Sequence, residues 1–202
     1  MWGQAMKRRR AIPVPSPGAA RYGEGTYNPI LQPGGTSMRI GVLSDIHDNL
    51  NGLRAALEVF SSQGIGTLLF LGDFCSPIPA RVLAGFDGEV HCVFGNGDGD
   101  RFAIARFAAE GAPNLKLHGE HAELELGGRR IALTHFPLYG SALARTGDYD
   151  VVFSGHTHQR HEERFGDCLW VNPGEILGWK GTPSAAVYDA AAHHVTFLDL
   201  PI

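Results

Sequence analysis

Residues 38–60 read MRIGVLSDIHDNLNGLRAALEVF. The run from Arg39 to Ser44 is short, aliphatic and β-branched, which is typical of a buried strand. The run from Leu50 to Phe60 instead has its apolar residues at helical spacing, so one face of a helix would be apolar. A buried strand followed at once by an amphipathic helix predicts the first unit of an α/β domain.

The same alternation of strand and helix repeats twice along the chain. Apolar strand patterns fall at residues 67–71 and 90–94, and helical patterns fall at residues 78–86 and 101–109. This order is typical of a largely parallel sheet, because strands that run in the same direction need a crossover element between them. The first half of the domain is therefore predicted to be β-α-β-α-β-α.

The second half of the domain has a different pattern. Alanine and leucine alternate with glutamate over residues 122–126, and two glycines then lead into the strand pattern of Arg130 to Thr134, which predicts a hairpin. This half is expected to be more antiparallel, with loops at residues 136–148 and 174–183. Four further short strands are predicted at residues 151–154, 169–171, 185–188 and 195–198.

Composition excludes several classes of protein. The chain has 202 residues, and no apolar run approaches the ~18 residues that a membrane-spanning helix needs. The three cysteines, Cys75, Cys92 and Cys168, are odd in number and lack metal-ligand spacing. They argue against a disulfide scaffold and favour the cytoplasm. With 17 basic and 21 acidic residues, the net charge is −4, which disfavours a general nucleic-acid binder.

The first 37 residues differ from the rest. They contain five prolines, six glycines and five basic residues against one acidic residue. Such a segment cannot bury enough apolar surface to offset the entropy of ordering it. Residues 1–37 are therefore expected to be a disordered extension, or to be foreign to the natural chain, which would then start at Met38. Residues 38–202 form the predicted domain and carry a net charge of −8.

Residues that can bind metal follow five of the predicted strands. They are Asp45 and His47, then Asp73, Asn96 and His135, and finally His156 and His158. In an extended chain, residues i and i+2 point to the same side, so the two members of each Asp-x-His or His-x-His pair can reach one point. Because the carboxyl ends of parallel strands line the ligand crevice of an α/β sheet, all seven are predicted to meet there.

The number and type of these ligands suit a pair of metal ions. Seven nitrogen and oxygen ligands are too many for one tetrahedral zinc and fit two divalent ions that share a carboxylate. Imidazole with carboxylate favours Mn, with Fe, Zn, Ni or Co as alternatives, over Ca or Mg. A small phosphate ester could bind such a cationic site, with Asn96 contacting the phosphate. A metal-bridging hydroxide would be available to attack it at neutral pH.

The chain resembles the calcineurin-like metallophosphoesterases, and in particular their small single-domain phosphodiesterase branch. The resemblance covers about residues 38–202 and rests on Asp45-x-His47, Gly72-Asp73, Gly95-Asn96, His135, Gly155-His156-Thr157-His158 and Asn172-Pro173-Gly174. It implies a four-layer α/β/β/α sandwich of two mixed sheets flanked by helices, and hydrolysis of phosphodiester bonds. It also implies that one metal takes Asp45, His47, Asp73 and His158, and the other Asp73, Asn96, His135 and His156, with Asp73 bridging.

One position departs from the family pattern. Many relatives have a histidine directly after the asparagine, where it assists phosphate binding or protonation of the leaving group, but this chain has Gly97. General acid catalysis is therefore not assigned to any residue. Asp98, His118 and His161 are the alternatives that the sequence offers as replacements.

Two other functions are consistent with the sequence. A catalytically weak or inactive scaffold of the same fold is the main alternative, since the retromer scaffold subunit resembles this branch but has lost key histidines. All four histidines are present here, which favours an enzyme. A nuclease recruited to nucleic acid by the basic N-terminal segment is a weaker alternative. The sequence does not determine the oligomeric state and leaves a homo-oligomer open.

Overall fold

The computed structural model describes residues 37–201, and these residues form two mixed β-sheets with helices on the outer faces. In chain order the elements are β1 (Arg39–Leu43), α1 (Leu50–Ser62), β2 (Thr67–Phe70), α2 (Pro77–Leu83), β3 (Glu89–Cys92), α3 (Arg101–Gly111), β4 (Leu115–Leu117), β5 (His121–Leu126), β6 (Arg129–Thr134), α4 (Pro137–Ala144), β7 (Val151–Phe153), β8 (Arg160–Phe165), β9 (Cys168–Pro173), β10 (Ser184–Asp189) and β11 (His194–Asp199). Apart from Ser37, the segment predicted as an extension lies outside the described residues, and so does its basic cluster.

The first sheet has the strand order β11-β10-β1-β2-β3-β4. Strands β1 to β4 are parallel, whereas β10 pairs antiparallel with β1, and β11 pairs antiparallel with β10. The predicted parallel first half is therefore confirmed. Helices α1, α2 and α3 supply the crossovers that parallel strands need.

The second sheet has the order β5-β6-β7-β9-β8 and is less antiparallel than predicted. The β5–β6 hairpin is present, but β6, β7 and β9 run parallel to one another. The physical reason lies in residues 136–148, which were predicted as a loop and contain α4. This helix is the crossover that lets β7 return in the same direction as β6.

Three apolar clusters separate four layers of secondary structure. One cluster packs α1, α2 and α3 onto the first sheet, and a second fills the space between the two sheets. A third, smaller cluster packs α4 onto the outer face of the second sheet. Alternate residues of one strand face different clusters, as in β10, where Ala185 and Val187 face the helices and Ala186 and Tyr188 face the second sheet. The predicted α/β/β/α sandwich is confirmed.

The sequence pattern missed three elements for identifiable reasons. Strand β4 has only three residues, and β8 (RHEERF) lies at a sheet edge with mostly exposed side chains, so neither shows apolar alternation. Helix α4 begins with Pro137 and has no side-chain cap hydrogen bond at its N-terminus. Among residues 37–201, no helix is long and apolar enough to cross a lipid bilayer.

The fold places the carboxyl ends of the strands beside the helix N-termini. Helix α1 begins directly after the segment that follows β1, and the Asn49 side chain accepts a hydrogen bond from the Gly52 N–H. Helix α3 begins after the segment that follows β3, and Asp100 accepts from the Ala103 N–H in the same way. These caps satisfy otherwise unpaired donors and fix where each strand-to-helix segment ends.

Replacing Phe60 by alanine is expected to destabilise the domain by about 3–5 kcal/mol, because the Phe60 side chain is fully buried between α1 and the first sheet. The matched control is Phe102, which is 76% exposed at the start of α3. Phe102→Ala should change the free energy of unfolding by no more than about 0.5 kcal/mol. Urea unfolding of both variants measures the difference, and equal losses would contradict this placement of the core.

Candidate metal centre

The structure brings the seven side chains predicted at the strand ends together at one edge of the two sheets. Asp45 and His47 follow β1, Asp73 follows β2, Asn96 follows β3, His135 follows β6, and His156 and His158 follow β7. Within each sheet these strands run parallel to one another, so their carboxyl ends lie at one edge. The site therefore spans both sheets at their carboxyl edge.

The backbone at these positions is not extended, contrary to the geometric premise of the prediction. Five of the seven residues have φ between 44° and 70°, in the left-handed region. They are Asp45, His47, Asp73, His156 and His158. Asp45 and His47 thus reach a common point through a tight left-handed turn, whereas His156 and His158 turn to different halves of the site. Such conformations are costly for residues other than glycine and cluster at functional sites.

One half of the site is formed by Asp45, His47 and His158, whose ligand atoms all lie within 4.8 Å of one another. Asp45 Oδ1 lies 3.3 Å from His158 Nε2 and 3.8 Å from His47 Nε2. The two imidazole rings are stacked with their centroids 5.0 Å apart. Two nitrogens and one carboxylate oxygen therefore face a common point.

The other half of the site is linked to the first through Asp73. Asp73 Oδ2 lies 3.2 Å from His47 Nε2 and 3.5 Å from His135 Nε2. Asn96 Oδ1 lies 3.0 Å from His135 Nε2 and 2.7 Å from His156 Nδ1. A single carboxylate oxygen thus lies between the two groups of ligands, which is the position that a bridging ligand requires.

Three of the histidines are oriented by partners on the ring nitrogen that faces away from the centre. His135 Nδ1 donates to the Leu71 carbonyl over 2.8 Å. His158 Nδ1 lies 2.6 Å from Glu175 Oε2, and His47 Nδ1 lies 3.2 Å from Cys75 Sγ. Each contact turns Nε2 towards the centre, and a proton held on Nδ1 leaves the Nε2 lone pair available to a metal.

Glu175 is the residue of this site that sequence reasoning missed. Its side chain is only 1% exposed, and its two carboxylate oxygens contact His158 Nδ1 and the backbone N–H of Lys180. A carboxylate behind a ligating histidine raises the basicity of the ring and fixes its tautomer. In the sequence it is only the residue after the Asn172-Pro173-Gly174 motif, and no local pattern indicates that the β8–β9 hairpin returns it to His158.

The charges at the centre attract a cation. The nearby carboxylates of Asp45 and then of Asp73 raise the pKa of His47 to about 10. Burial alone would raise the pKa of Asp73, but His47, His135 and the Gly97 N–H together hold it below its ordinary value. A carboxylate with a depressed pKa and an imidazole with a raised one define a place where positive charge is stabilised.

Two buried atoms at the centre are left without a hydrogen-bond partner among the described residues, namely Asp45 Oδ1 and His47 Nε2. Unpaired buried polar atoms are rare, because each loses its hydration without compensation. The two atoms face each other across 3.8 Å. The residues present therefore fit divalent metal ions, which would bind these atoms as ligands.

None of the three proposed replacements for the missing histidine is among the residues that line the cavity at the centre. The Asp98 carboxylate is buried and accepts hydrogen bonds from the N–H groups of Asp73, Cys75 and Gly95. Burial raises the pKa of Asp98 despite these bonds. His118 Nε2 lies 3.0 Å from His91 Nδ1, and the His161 ring packs against Trp170. Asp98 therefore connects the loops that follow β2 and β3. His118 contacts His91, and His161 contacts Trp170.

Two glycines after β3 let the loops approach Asp73 closely. A Cβ at Gly95 would lie 2.1 Å from Asp73 Oδ1, a distance that no side chain tolerates. A Cβ at Gly97 would lie 3.1 Å from the same oxygen, which also accepts the Gly97 N–H over 2.6 Å. The glycine that replaces the family's histidine thus brings its backbone against the shared carboxylate.

The centre opens into a cavity of about 430 Å³. Its lining residues are His47, Asp73, Asn96, His156, His158, Leu177, Trp179 and Lys180. The base of the cavity is polar, and one wall comes from the segment that follows Glu175. This volume lies in the range of small-molecule sites, roughly 300–1,000 Å³.

Comparisons with known proteins identify the family of this chain. A family model of the calcineurin-like phosphoesterase superfamily domain matches residues 38–193. The chain is 31% identical to phosphodiesterase MJ0936 of Methanocaldococcus jannaschii over 156 residues, which cover 75% of this chain and 93% of that protein. It is 28% identical to phosphodiesterase YfcE of Escherichia coli K12 over 158 residues, which cover 71% and 82% of the two chains.

Solved structures give the same result. An archaeal phosphodiesterase superposes with a TM-score of 0.75 at 28% identity, covering 81% of this chain and all of that chain. Vacuolar protein sorting 29 of Cryptosporidium parvum superposes with a TM-score of 0.58 at 18% identity, covering 81% and 97%, a likeness of fold alone. The resemblance seen in the sequence is confirmed, and the chain belongs to the calcineurin-like phosphoesterase superfamily.

Proposed function

We propose that this protein is a dinuclear metal-dependent phosphoesterase that hydrolyses phosphodiester bonds. The observation that carries the proposal is the position of Asp73 Oδ2, which lies within 3.5 Å of imidazoles from both halves of the site. The family is one of metal-dependent phosphoesterases, and the two curated relatives described above are named phosphodiesterases. A small phosphate ester is therefore the substrate class.

The geometry supports a division of the ligands between two ions. Asp45, His47, Asp73 and His158 would hold one ion, and Asp73, Asn96, His135 and His156 would hold the other. We propose Mn as the native metal because the set combines imidazoles with carboxylate and amide oxygens, with Fe, Zn, Ni or Co as alternatives. When bound, the ions lower the pKa of coordinated water towards neutrality and offset the negative charge of the phosphate.

Neighbouring residues orient the side chains that would bind the metal ions. Glu175, Leu71 and Cys75 hold three imidazole rings with Nε2 towards the centre, so little reorganisation is needed when substrate binds. The Gly97 N–H holds the other oxygen of Asp73 and so fixes the plane of the shared carboxylate. Asn96 faces the cavity and is placed to contact the phosphate.

The localisation and partners are proposed from the cysteine content and the net charge of the chain. We propose a cytoplasmic protein without a membrane or general nucleic-acid partner, and we leave a homo-oligomer open. The catalytically inactive scaffold remains the alternative function. The complete set of four imidazoles facing the centre favours turnover.

Replacing Asp73 by asparagine is expected to reduce bound metal from two ions to one or none per chain, because the shared ligand loses its charge. Phosphodiesterase activity should then fall at least about 100-fold. Metal analysis and hydrolysis of bis(p-nitrophenyl) phosphate by Mn-loaded protein measure both. The exposed Asp148, replaced by asparagine, is the control and should keep two ions. Full activity in Asp73→Asn would contradict the bridging role, and no turnover by the wild type would favour the scaffold.

Glu175→Gln is expected to weaken metal binding about 10–100-fold while leaving the fold intact. The amide oxygen can still accept the Nδ1 proton of His158, but it lacks the negative charge that makes the ring more basic. Competition against a chelator measures the affinity, and thermal unfolding of the metal-free protein checks the fold. Glu162→Gln, on the exposed face of β8, serves as the control. Equal metal affinity in all three proteins would show that Glu175 does not position His158.

The glycine at position 97 predicts a strong dependence of rate on the leaving group. Without a nearby general acid, the departing oxygen must leave as an anion, so aryl esters should be cleaved much faster than alkyl esters. A series of methyl aryl phosphates with leaving groups of different pKa measures the dependence. Rates that do not change across the series would contradict the prediction and indicate a general acid among the residues near the centre.

A further inference from the structure

Trp179 is one of the few large apolar side chains that the described chain leaves in solvent. It is 72% exposed, although indole rings are highly buried on average. It is also one of the eight residues that line the cavity above the metal centre. Its ring lies edge-to-face with His158, with 5.7 Å between the two centroids. An exposed aromatic face thus stands next to the place where a phosphate would bind.

The segment that carries Trp179 is held on both sides. Before it, the N–H groups of Ile176 and Leu177 donate to the carbonyls of Ser44 and Asp45. After it, the Lys180 N–H donates to Glu175, the same carboxylate that contacts His158. The backbone on both sides of Trp179 is thus fixed, and the ring contacts His158, so a partner that stacks on the ring loses little free energy to ordering this segment.

Lys180 adds a positive charge to the same wall. It is the only lysine or arginine among the residues that line the cavity. Its Nζ lies 3.0 Å from the Thr157 carbonyl and 5.4 Å from the centre of the Trp179 ring. The cavity therefore has a polar base, a cation at its side and an aromatic wall beside that cation.

We propose that Trp179 determines specificity by stacking against a flat aromatic group attached to the substrate phosphate, either as an aryl ester or through the sugar of a nucleoside. This inference rests on the phosphoester site proposed above. Lys180 contacts the phosphate from the same side and so holds the aromatic group over the indole ring. Stacking of a base or aryl ring on an aromatic side chain strengthens binding by about tenfold or more.

The test measures binding and begins with phosphonates, which have no phosphate ester bond to hydrolyse. Calorimetry with the Mn-loaded full chain gives dissociation constants for phenylphosphonate, cyclohexylphosphonate and methylphosphonate, which share the phosphonate group. Wild-type protein should bind the phenyl compound about tenfold more tightly than the cyclohexyl compound, because only the flat ring stacks. In Trp179→Leu this ratio should fall close to one, and Trp179→Phe should retain part of it.

Two further variants separate stacking from other effects. Phe102→Leu changes an aromatic side chain of similar exposure outside the cavity lining and should keep the wild-type ratio. Lys180→Met should weaken all three phosphonates by the same factor, about fivefold, since they share the charged group. Circular dichroism and the metal content of each variant exclude an unfolded or metal-free sample.

The outcomes distinguish this inference from the proposed function. Equal binding of phenyl and cyclohexyl compounds by the wild type, or an unchanged ratio in Trp179→Leu, overturns the role of Trp179 even if bis(p-nitrophenyl) phosphate is hydrolysed. Absence of hydrolysis with the expected ratio overturns the proposed function and leaves the aromatic site standing.

The dissociation constants of thymidine 5′-phosphate and 2-deoxyribose 5-phosphate then show whether the aromatic group belongs to a nucleoside or to an aryl ester. A preference for the nucleotide that depends on Trp179 assigns nucleosides, and equal binding assigns aryl esters.

Discussion

The carboxylate of Asp73 is the constraint on which the site depends. It is nearly fully buried and lies between His47 on one side and His135 on the other. A buried charge is stable only when opposite charge or donors surround it, so the loops after the other strands must converge on it. Gly95 and Gly97 make that convergence sterically feasible. The loops that follow β3 and β6 are thus positioned by their contacts with the Asp73 carboxylate.

The fold and most of the site were predictable because both depend on regular patterns. Apolar alternation and helical spacing locate strands and helices, and the carboxyl ends of parallel strands must share an edge. Asp45, His47 and His156 can be assigned to that edge from the sequence alone. The physical reason given for their convergence was wrong in detail, since the chain turns through left-handed conformations there and is not extended.

The features that could not be predicted depend on tertiary contacts without a local pattern. Glu175 meets His158 because the β8–β9 hairpin folds back, and β8 shows no apolar alternation of its own. Helix α4 forms by packing on the second sheet and lacks a capping side chain. Trp179 could equally have been a core residue, and its exposure beside the cavity follows from how the segment after Glu175 is anchored.

The left-handed backbone of five residues at the centre has two opposing energetic effects. Each residue other than glycine loses on the order of 1 kcal/mol in that conformation. At Asp45 and Asp73, however, the side chains accept the N–H groups of His156 and Gly97. A glycine at either position would leave a donor unpaired, which costs about 1–3 kcal/mol when the donor is buried. The aspartates that would hold metal therefore also stabilise the loops that carry the other ligands.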